Sequence, residues 1–134
     1  MRIATYNVNS IRERLPLVLD WLTQYKPDVM CLQETKVHDQ DFPAEAIREA
    51  GYHPSYRGMK GYNGVATLTR TPPEKVIYGL HEGPDNEDFR VIQTVVSGIR
   101  SSTVTCPRAI QSRLKNTHLN WNGSGACGPI LKAR

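Results

Sequence analysis

At 134 residues the chain has the length of a single domain. It contains no run of eighteen apolar residues and no signal-peptide pattern at its N-terminus, so we expect a cytoplasmic protein without a membrane partner. Its net charge of +4 does not by itself indicate nucleic-acid binding, because residues 1–99 carry 11 Lys and Arg against 13 acidic residues. The excess positive charge comes from residues 100–134, which carry six basic residues and no acid. The cysteines, Cys31, Cys106 and Cys127, are odd in number and lack C-x-x-C spacing, which argues against a disulfide framework or a zinc site.

The beginning of the chain predicts a strand, a helix and a second strand. RIATYNV has the β-favouring composition of a strand. RERLPLVLDWLTQYK predicts a helix that ends at Lys26-Pro27, since apolar residues recur at helical spacing at Leu15, Val18, Leu19 and Leu22. DVMCLQET is nearly continuous in apolar residues, which is typical of a strand covered on both faces.

Helical and strand-like segments continue to residue 99. PAEAIREAG predicts a short helix with Gly51 as its C-terminal stop. Four strand-like segments follow, separated by Gly, Pro and Asn: YHPSYRG, NGVATLTR, EKVIYGL and RVIQTVVS. This order predicts an α/β or α+β sheet protein.

The segment that begins at Arg100 differs in composition. It has six basic residues and no acid, and it lacks the apolar periods of a strand or a helix. We do not expect it to bury enough apolar surface to offset about 1–2 kcal/mol of backbone entropy per ordered residue. The sequence therefore predicts an ordered part over residues 1–99 and a disordered tail over residues 100–134.

Three polar clusters fall where predicted strands end or begin. They are Asn7 and Asn9, then Gln33 and Glu34, then Lys60 and Tyr62 in KGYNGVA. Strand ends that share one edge of a parallel sheet make a polar site. A carboxylate beside amides there suits Mg²⁺, which takes one or two protein carboxylates together with water and phosphate oxygens.

Each of these residues also fits a plainer role. Asn7 and Glu34 could terminate strands, and Tyr62-Asn63-Gly64 could form only a turn. Charged side chains such as those of Arg12 and Lys36 are more often solvated than bound to phosphate.

The clusters together resemble the exonuclease III family, the apurinic/apyrimidinic endonucleases of the endonuclease/exonuclease/phosphatase superfamily. The segments that carry the resemblance are TYNVNSIR, KPDVMCLQETKV, the FP of QDFP, the GY at residues 51–52, KGYNGVA and RVIQ, all within residues 1–99. The resemblance implies an α+β fold, a four-layered α/β/β/α sandwich, of which this chain would form about the N-terminal half with an irregular tail. It also implies hydrolysis of phosphodiester bonds in duplex DNA at abasic sites and 3′ ends, by a monomer that uses Mg²⁺ or Mn²⁺ in base excision repair.

The resemblance also implies roles for five residues. Glu34 would be a metal ligand, and Asn7 would take part in binding the metal and in the hydrogen bonds around metal and phosphate. Arg12, Lys36 and Tyr62 would approach the DNA backbone.

The family's remaining motifs are absent from this chain. They are a Y-x-P-Q-G segment, a G-D-x-N pair and a terminal S-D-H, which supply the Asp that activates water and the His that stabilises the phosphate. In a shifted frame, residues 103–109 can be read as Ser-Tyr-Val-Pro-Gln-Gly-Tyr and residues 120–131 as an amphipathic helix. A frameshift near Ile99 is therefore our hypothesis for the tail, and the coding DNA beyond codon 99 would test it.

Two functions remain open from the sequence. The first is an exonuclease III-like DNA-repair nuclease whose present chain is inactive, poorly soluble or only partly folded, because half a sandwich exposes a sheet face and a strand edge. The alternative is a non-catalytic nucleic-acid-binding protein that uses its basic tail and whose affinity falls steeply with salt. A relative that acts on phosphoinositides or sphingomyelin is disfavoured, because KPDVMCLQETKV and KGYNGVA resemble the DNA-repair branch.

Overall fold

The computed structural model describes residues 1–79, 90–105 and 131–132, within which eight strands and two α-helices form. The strands are β1 (Arg2–Asn7), β2 (Val29–Gln33), β3 (His53–Met59), β4 (Tyr62–Thr69), β5 (Lys75–Tyr78), β6 (Val91–Val96), β7 (Ile99–Val104) and β8 (Leu131–Lys132). The helices are α1 (Ile11–Tyr25) and α2 (Ala44–Glu49), and a short 3₁₀ helix spans Asp39–Asp41. Within the described residues, every segment of residues 1–99 that the sequence predicts as a strand or a helix takes that form.

The strands form two sheets. The larger has the order β3-β4-β2-β1-β8, and the smaller has the order β5-β6-β7. β1 and β2 run parallel, with Asn7 opposite Gln33, whereas the other strand pairs of the described residues are antiparallel. Helix α1 is the crossover that a parallel pair requires. The ends of β1 and β2 therefore meet at one edge of the larger sheet.

Strand β2 is central in the larger sheet and buried on both faces. Met30 and Leu32 belong to the core on the helix side, together with Leu22 of α1. Cys31 alternates with them and packs on the opposite side with Val96 of β6. The near-continuous apolar run is explained by this double burial.

The helices cover one face of the larger sheet and the smaller sheet packs on the other. Between the sheets, the hydroxyls of Thr67 and Thr103 share a hydrogen bond of 2.8 Å, and Cys31 Sγ lies 3.6 Å from Ser101 Oγ. The described residues thus form three layers, α/β/β, of the incomplete α/β/β/α sandwich expected from the sequence. Neither α-helix in this part of the chain is long and apolar enough to cross a membrane.

The beginning of the predicted tail requires a correction, because Ile99–Val104 form β7 and pair with β6 along their whole length. Ser101 and Thr103 lie on the side that faces the larger sheet. These inward positions are polar, so the segment lacks the apolar alternation that indicates a strand in a sequence. Leu131–Lys132 also pairs with β1. The disorder predicted for the rest of residues 100–134 concerns positions outside the described residues and stays a prediction.

Candidate functional site

The predicted site lies where the parallel strands β1 and β2 end. Asn7 is the last residue of β1, and Gln33 is the last of β2. The main chain stays paired beyond the strands, because Val8 N–H donates to the Gln33 carbonyl at 3.0 Å and Ser10 N–H to the Glu34 carbonyl at 2.9 Å. The two polar segments that follow the strands are therefore held side by side, as the sequence predicts.

The Glu34 carboxylate is contacted at both oxygens. Asn7 Nδ2 donates to Glu34 Oε1 at 2.9 Å, and Lys36 Nζ lies 3.3 Å from Oε2. The Glu34 side chain is 22% exposed and that of Lys36 is 27% exposed. The carboxylate is thus fixed in direction, and the side chain that carries it is partly exposed.

Asn9 completes this network. Its backbone N–H donates to Asn7 Oδ1 at 3.1 Å, and its own Oδ1 accepts a hydrogen bond from Lys36 Nζ. The sequence places Asn9 in the right cluster but assigns it no role. Its two contacts link the side chains that follow β1 with those that follow β2.

Tyr62 reaches the same edge of the sheet through the hairpin between β3 and β4. It is the first residue of β4, and its side chain is 72% exposed. Lys36 N–H donates to the Asn63 carbonyl at 3.0 Å, which joins the hairpin to the loop that carries Glu34. The third polar cluster, KGYNGVA, is therefore next to the other two.

Arg12 lies in the first turn of α1 and contacts a different partner. Its guanidinium is 3.8 Å from Asp41 Oδ1, and both side chains are exposed. This pair connects α1 to the 3₁₀ helix at the surface. The geometry therefore brings Asn7, Lys36 and the Tyr62 hairpin to Glu34 but leaves Arg12 outside the hydrogen-bonded network.

The donor set fits a loosely held divalent cation. The described residues contain no group of three or more His, Cys, Asp or Glu side chains that could hold a metal ion, and the carboxylate that lies between Asn7 and Lys36 is that of Glu34. Mg²⁺ commonly binds one or two carboxylates and completes its shell with water and phosphate oxygens. Asn7 turns its NH₂ group toward Glu34 and its oxygen toward Asn9, an orientation that suits positioning of the carboxylate. Direct ligation by Asn7 stays a prediction.

Comparison with known proteins identifies the family. Residues 4–128 match the model of the Endonuclease/Exonuclease/phosphatase family. Exodeoxyribonuclease III of Haemophilus influenzae is 40% identical over 88 residues, which cover 66% of this chain and 32% of that protein. The chain thus spans about a third of the length of this relative.

Two solved structures are similar to this fold. An AP endonuclease from Archaeoglobus fulgidus superposes with a TM-score of 0.75 at 42% identity, over 81% of this chain and 42% of the other. A 3′ phosphatase from Neisseria bound to a product DNA hairpin gives a TM-score of 0.74 at 44% identity, over 79% and 41% of the two chains. The matched family model covers most of the chain, and the chain belongs to the endonuclease/exonuclease/phosphatase family, with exodeoxyribonuclease III and AP endonuclease relatives.

Proposed function

We propose that this chain carries the metal-binding side of a DNA-repair nuclease site. In the intact protein, that site would hydrolyse phosphodiester bonds in duplex DNA at abasic sites and 3′ ends. The observation that supports this most is the Glu34 carboxylate, held by Asn7 at 2.9 Å and by Lys36 at 3.3 Å where two parallel strands end. Family membership and the DNA-bound relative support the substrate class. We propose that the intact protein acts as a monomer in the cytoplasm.

The proposed cofactor is Mg²⁺ or Mn²⁺. When bound, such an ion supplies Lewis-acid stabilisation of the charge that develops on phosphoryl oxygens. Glu34 would hold it, and Asn7 would keep the carboxylate oriented through its NH₂ group. Lys36 adds a positive charge within reach of the same position, which suits a phosphate oxygen of the substrate.

Tyr62 and Arg12 would act at the margins of this site. The exposed ring of Tyr62 stands on the hairpin joined to the Glu34 loop, so it suits contact with the sugar-phosphate backbone. Arg12 is exposed beside the 3₁₀ helix, and its guanidinium would have to leave Asp41 before it could bind a DNA phosphate. We expect Arg12 to contribute less to DNA binding than Lys36.

The isolated chain is proposed to be inactive. It lacks the G-D-x-N and S-D-H motifs implied by the resemblance, and Glu34 alone can neither activate water nor protonate a leaving group while it holds a metal. The chain also spans only about 32% of its Haemophilus influenzae relative. We expect metal binding at Glu34 without turnover.

Both parts of this proposal are tested with the purified chain. Mn²⁺ binding is measured by electron paramagnetic resonance, and cleavage is measured on an abasic-site duplex with Mg²⁺. We expect Mn²⁺ binding that Glu34→Gln abolishes, and no cleavage. Glu13→Gln is the matched control, because Glu13 is an exposed glutamate in the first turn of α1 whose partner, in the part of the chain that the structure describes, is its neighbour Arg14.

Three results would change this proposal. Cleavage at the rate of an intact nuclease, lost in Glu34→Gln, would contradict the inactivity. Unaltered Mn²⁺ binding in Glu34→Gln would contradict the metal site. Salt-sensitive DNA binding that disappears only when Arg108, Arg113 and Lys115 are neutralised would favour the basic-tail alternative.

A further inference from the structure

The loop that carries Glu34 has an unusual backbone. Glu34 and Lys36 both have φ of +56°, in the left-handed region, while Thr35 between them is 1% exposed. Residues with a side chain adopt this region rarely, and such strain persists only where the surroundings hold it in place. The contacts of Thr35 are therefore of interest for the position of the Glu34 carboxylate.

The start of helix α1 holds one side of this loop. Ser10 N–H donates to the Glu34 carbonyl at 2.9 Å, and Ile11 N–H donates to the Thr35 carbonyl at 3.0 Å. These carbonyls are thus occupied by the first residues of the helical segment. The loop is fixed to the strand end from which Asn7 reaches Glu34.

The hairpin between β3 and β4 holds the other side. Thr35 N–H donates to the Gly64 carbonyl at 3.3 Å, and Lys36 N–H donates to the Asn63 carbonyl at 3.0 Å. The loop therefore lies between two segments that are distant in the sequence, and backbone hydrogen bonds connect it to both.

The Thr35 side chain fills the space left by two glycines of that hairpin. A Cβ atom at Gly64 would lie 2.2 Å from Thr35 Oγ1. One at Gly58 would lie 3.3 Å from the same atom, but it would first meet the Val37 carbonyl oxygen. Gly64 also has φ of +87°. The close approach of loop and hairpin thus depends on Thr35 being opposite residues without a side chain.

We propose that Thr35 is a positioning residue for the Glu34 carboxylate and that it acts through its packing against Gly64. This inference rests on the proposed function for the use of that carboxylate. Thr35 touches neither metal nor DNA in the proposal. It fixes the backbone of the loop, and the backbone sets the direction in which Glu34 faces Asn7.

A pair of glycine substitutions separates this role from general backbone strain. Gly64→Ala places a side chain at a φ of +87°, where its Cβ would clash with Thr35 Oγ1 and approach Lys36 N to 3.3 Å. Gly61→Ala is the matched control in the same hairpin, since Gly61 has φ of +79° and a Cβ there meets no atom of the described residues within 4 Å. The Gly61 N–H donates to the Lys36 carbonyl at 3.2 Å, and alanine keeps this donor. We expect Gly64→Ala to weaken Mn²⁺ binding about tenfold, a typical effect of altering groups that support a metal ligand. Gly61→Ala should change it less than twofold, about the limit of measurement.

The variant Thr35→Ala introduces no clash and provides a second, independent test. We expect it to weaken Mn²⁺ binding by a similar factor, and we expect Gly64→Ala to cause little further loss when Thr35→Ala is already present. The backbone amide resonances of Glu34 and Lys36 in NMR spectra should shift further in both single variants than in Gly61→Ala, whose N–H keeps its hydrogen bond to the Lys36 carbonyl.

The result that would overturn the inference is equal behaviour of Gly64→Ala and Gly61→Ala in both measurements. Independent, multiplicative effects of Gly64→Ala and Thr35→Ala on Mn²⁺ binding would overturn it as well. If the unaltered chain binds no Mn²⁺ at Glu34, the proposed metal site fails, and the amide resonances alone then decide whether Thr35 and Gly64 position the loop.

Discussion

At the scale of single residues, the site depends on the direction in which each amide group points. Asn7 presents its NH₂ group to the Glu34 carboxylate, whereas Asn9 presents its oxygen to the Lys36 ammonium. Two asparagines separated by one residue therefore provide a donor to an anion and an acceptor to a cation. The same substitution at the two positions should have different effects.

Asn7→Asp replaces the donor 2.9 Å from Glu34 Oε1 by a second carboxylate oxygen. We expect the free energy of unfolding to fall by about 1–3 kcal/mol in EDTA, because a hydrogen bond to a charged group is lost and like charges meet. Much of this loss should be recovered in Mg²⁺, which two carboxylates can share. Urea denaturation with and without Mg²⁺ measures both effects.

Asn9→Asp is the control for that prediction. Its new carboxylate would accept the same hydrogen bond from Lys36, so we expect the free energy of unfolding to change by less than about 0.5 kcal/mol. An equal loss in the two variants, or no response of Asn7→Asp to Mg²⁺, would contradict the orientations described for the two amides.

At the scale of elements, the junction between α2 and β3 contains a buried phenol. The Tyr52 hydroxyl donates to the Pro27 carbonyl at 2.8 Å, and this contact ties the start of β3 to the segment between α1 and β2. Burial raises the pKa of Tyr52 above its usual value of 10.0. The elements around β2 are thus joined through a group that resists ionisation.

The raised pKa predicts a loss of stability at alkaline pH. A group whose pKa is higher in the folded chain adds stability below its unfolded pKa of about 10, and this addition is lost as the pH rises through the folded value. The free energy of unfolding should therefore fall above about pH 10, and it should fall less steeply in Tyr52→Phe. At neutral pH the variant should be about 1 kcal/mol less stable, since the Pro27 carbonyl loses its partner.

Tyr78→Phe is a suitable comparison, because burial also raises the pKa of Tyr78. Removing each phenol in turn separates their shares of the alkaline transition, which is followed by chemical denaturation between about pH 8 and 11. An identical pH dependence in the unaltered chain and in Tyr52→Phe would rule out the proposed contribution of Tyr52.

At the scale of the whole molecule, the smaller sheet has exposed apolar side chains on an edge strand. Ile99 and Val104 of β7 are 42% and 46% exposed, and β7 lies at the end of the order β5-β6-β7. Edge strands of this kind pair with other chains. Ile99 and Val104 are therefore the residues through which we expect the chain to aggregate.

We expect the isolated chain to be poorly soluble or only partly folded, so the denaturation and binding measurements apply to the folded monomer in a dilute sample. Val104→Lys should raise the fraction that sediments as a monomer, because a charged residue on an edge strand opposes pairing with another copy. Arg48→Lys, an exchange of one exposed cation for another on α2, serves as the control. A fully monomeric sample of the unaltered chain with a cooperative thermal transition and native-like near-ultraviolet circular dichroism would contradict the expectation.

The strand β7 illustrates what the sequence pattern could not predict. Its inward-facing side chains are polar, and the Thr103 hydroxyl forms a hydrogen bond with Thr67 of the other sheet. This contact exists only once the two sheets have packed together. The reading-frame hypothesis for the tail stays a prediction. The same limit applies to Thr35, whose importance depends on two glycines more than twenty positions away.

The sequence by itself determined the strands and helices of residues 1–99, the shared edge at which β1 and β2 end, and the family, because apolar periodicity and linear motifs are local properties of a chain. Only the tertiary structure decided that Asn7 and Lys36 hold the two oxygens of Glu34, that Arg12 pairs with Asp41, and that the hairpin holds the loop. These contacts depend on distances between segments far apart in the chain. Such distances are set by packing, and no local pattern in the sequence encodes them.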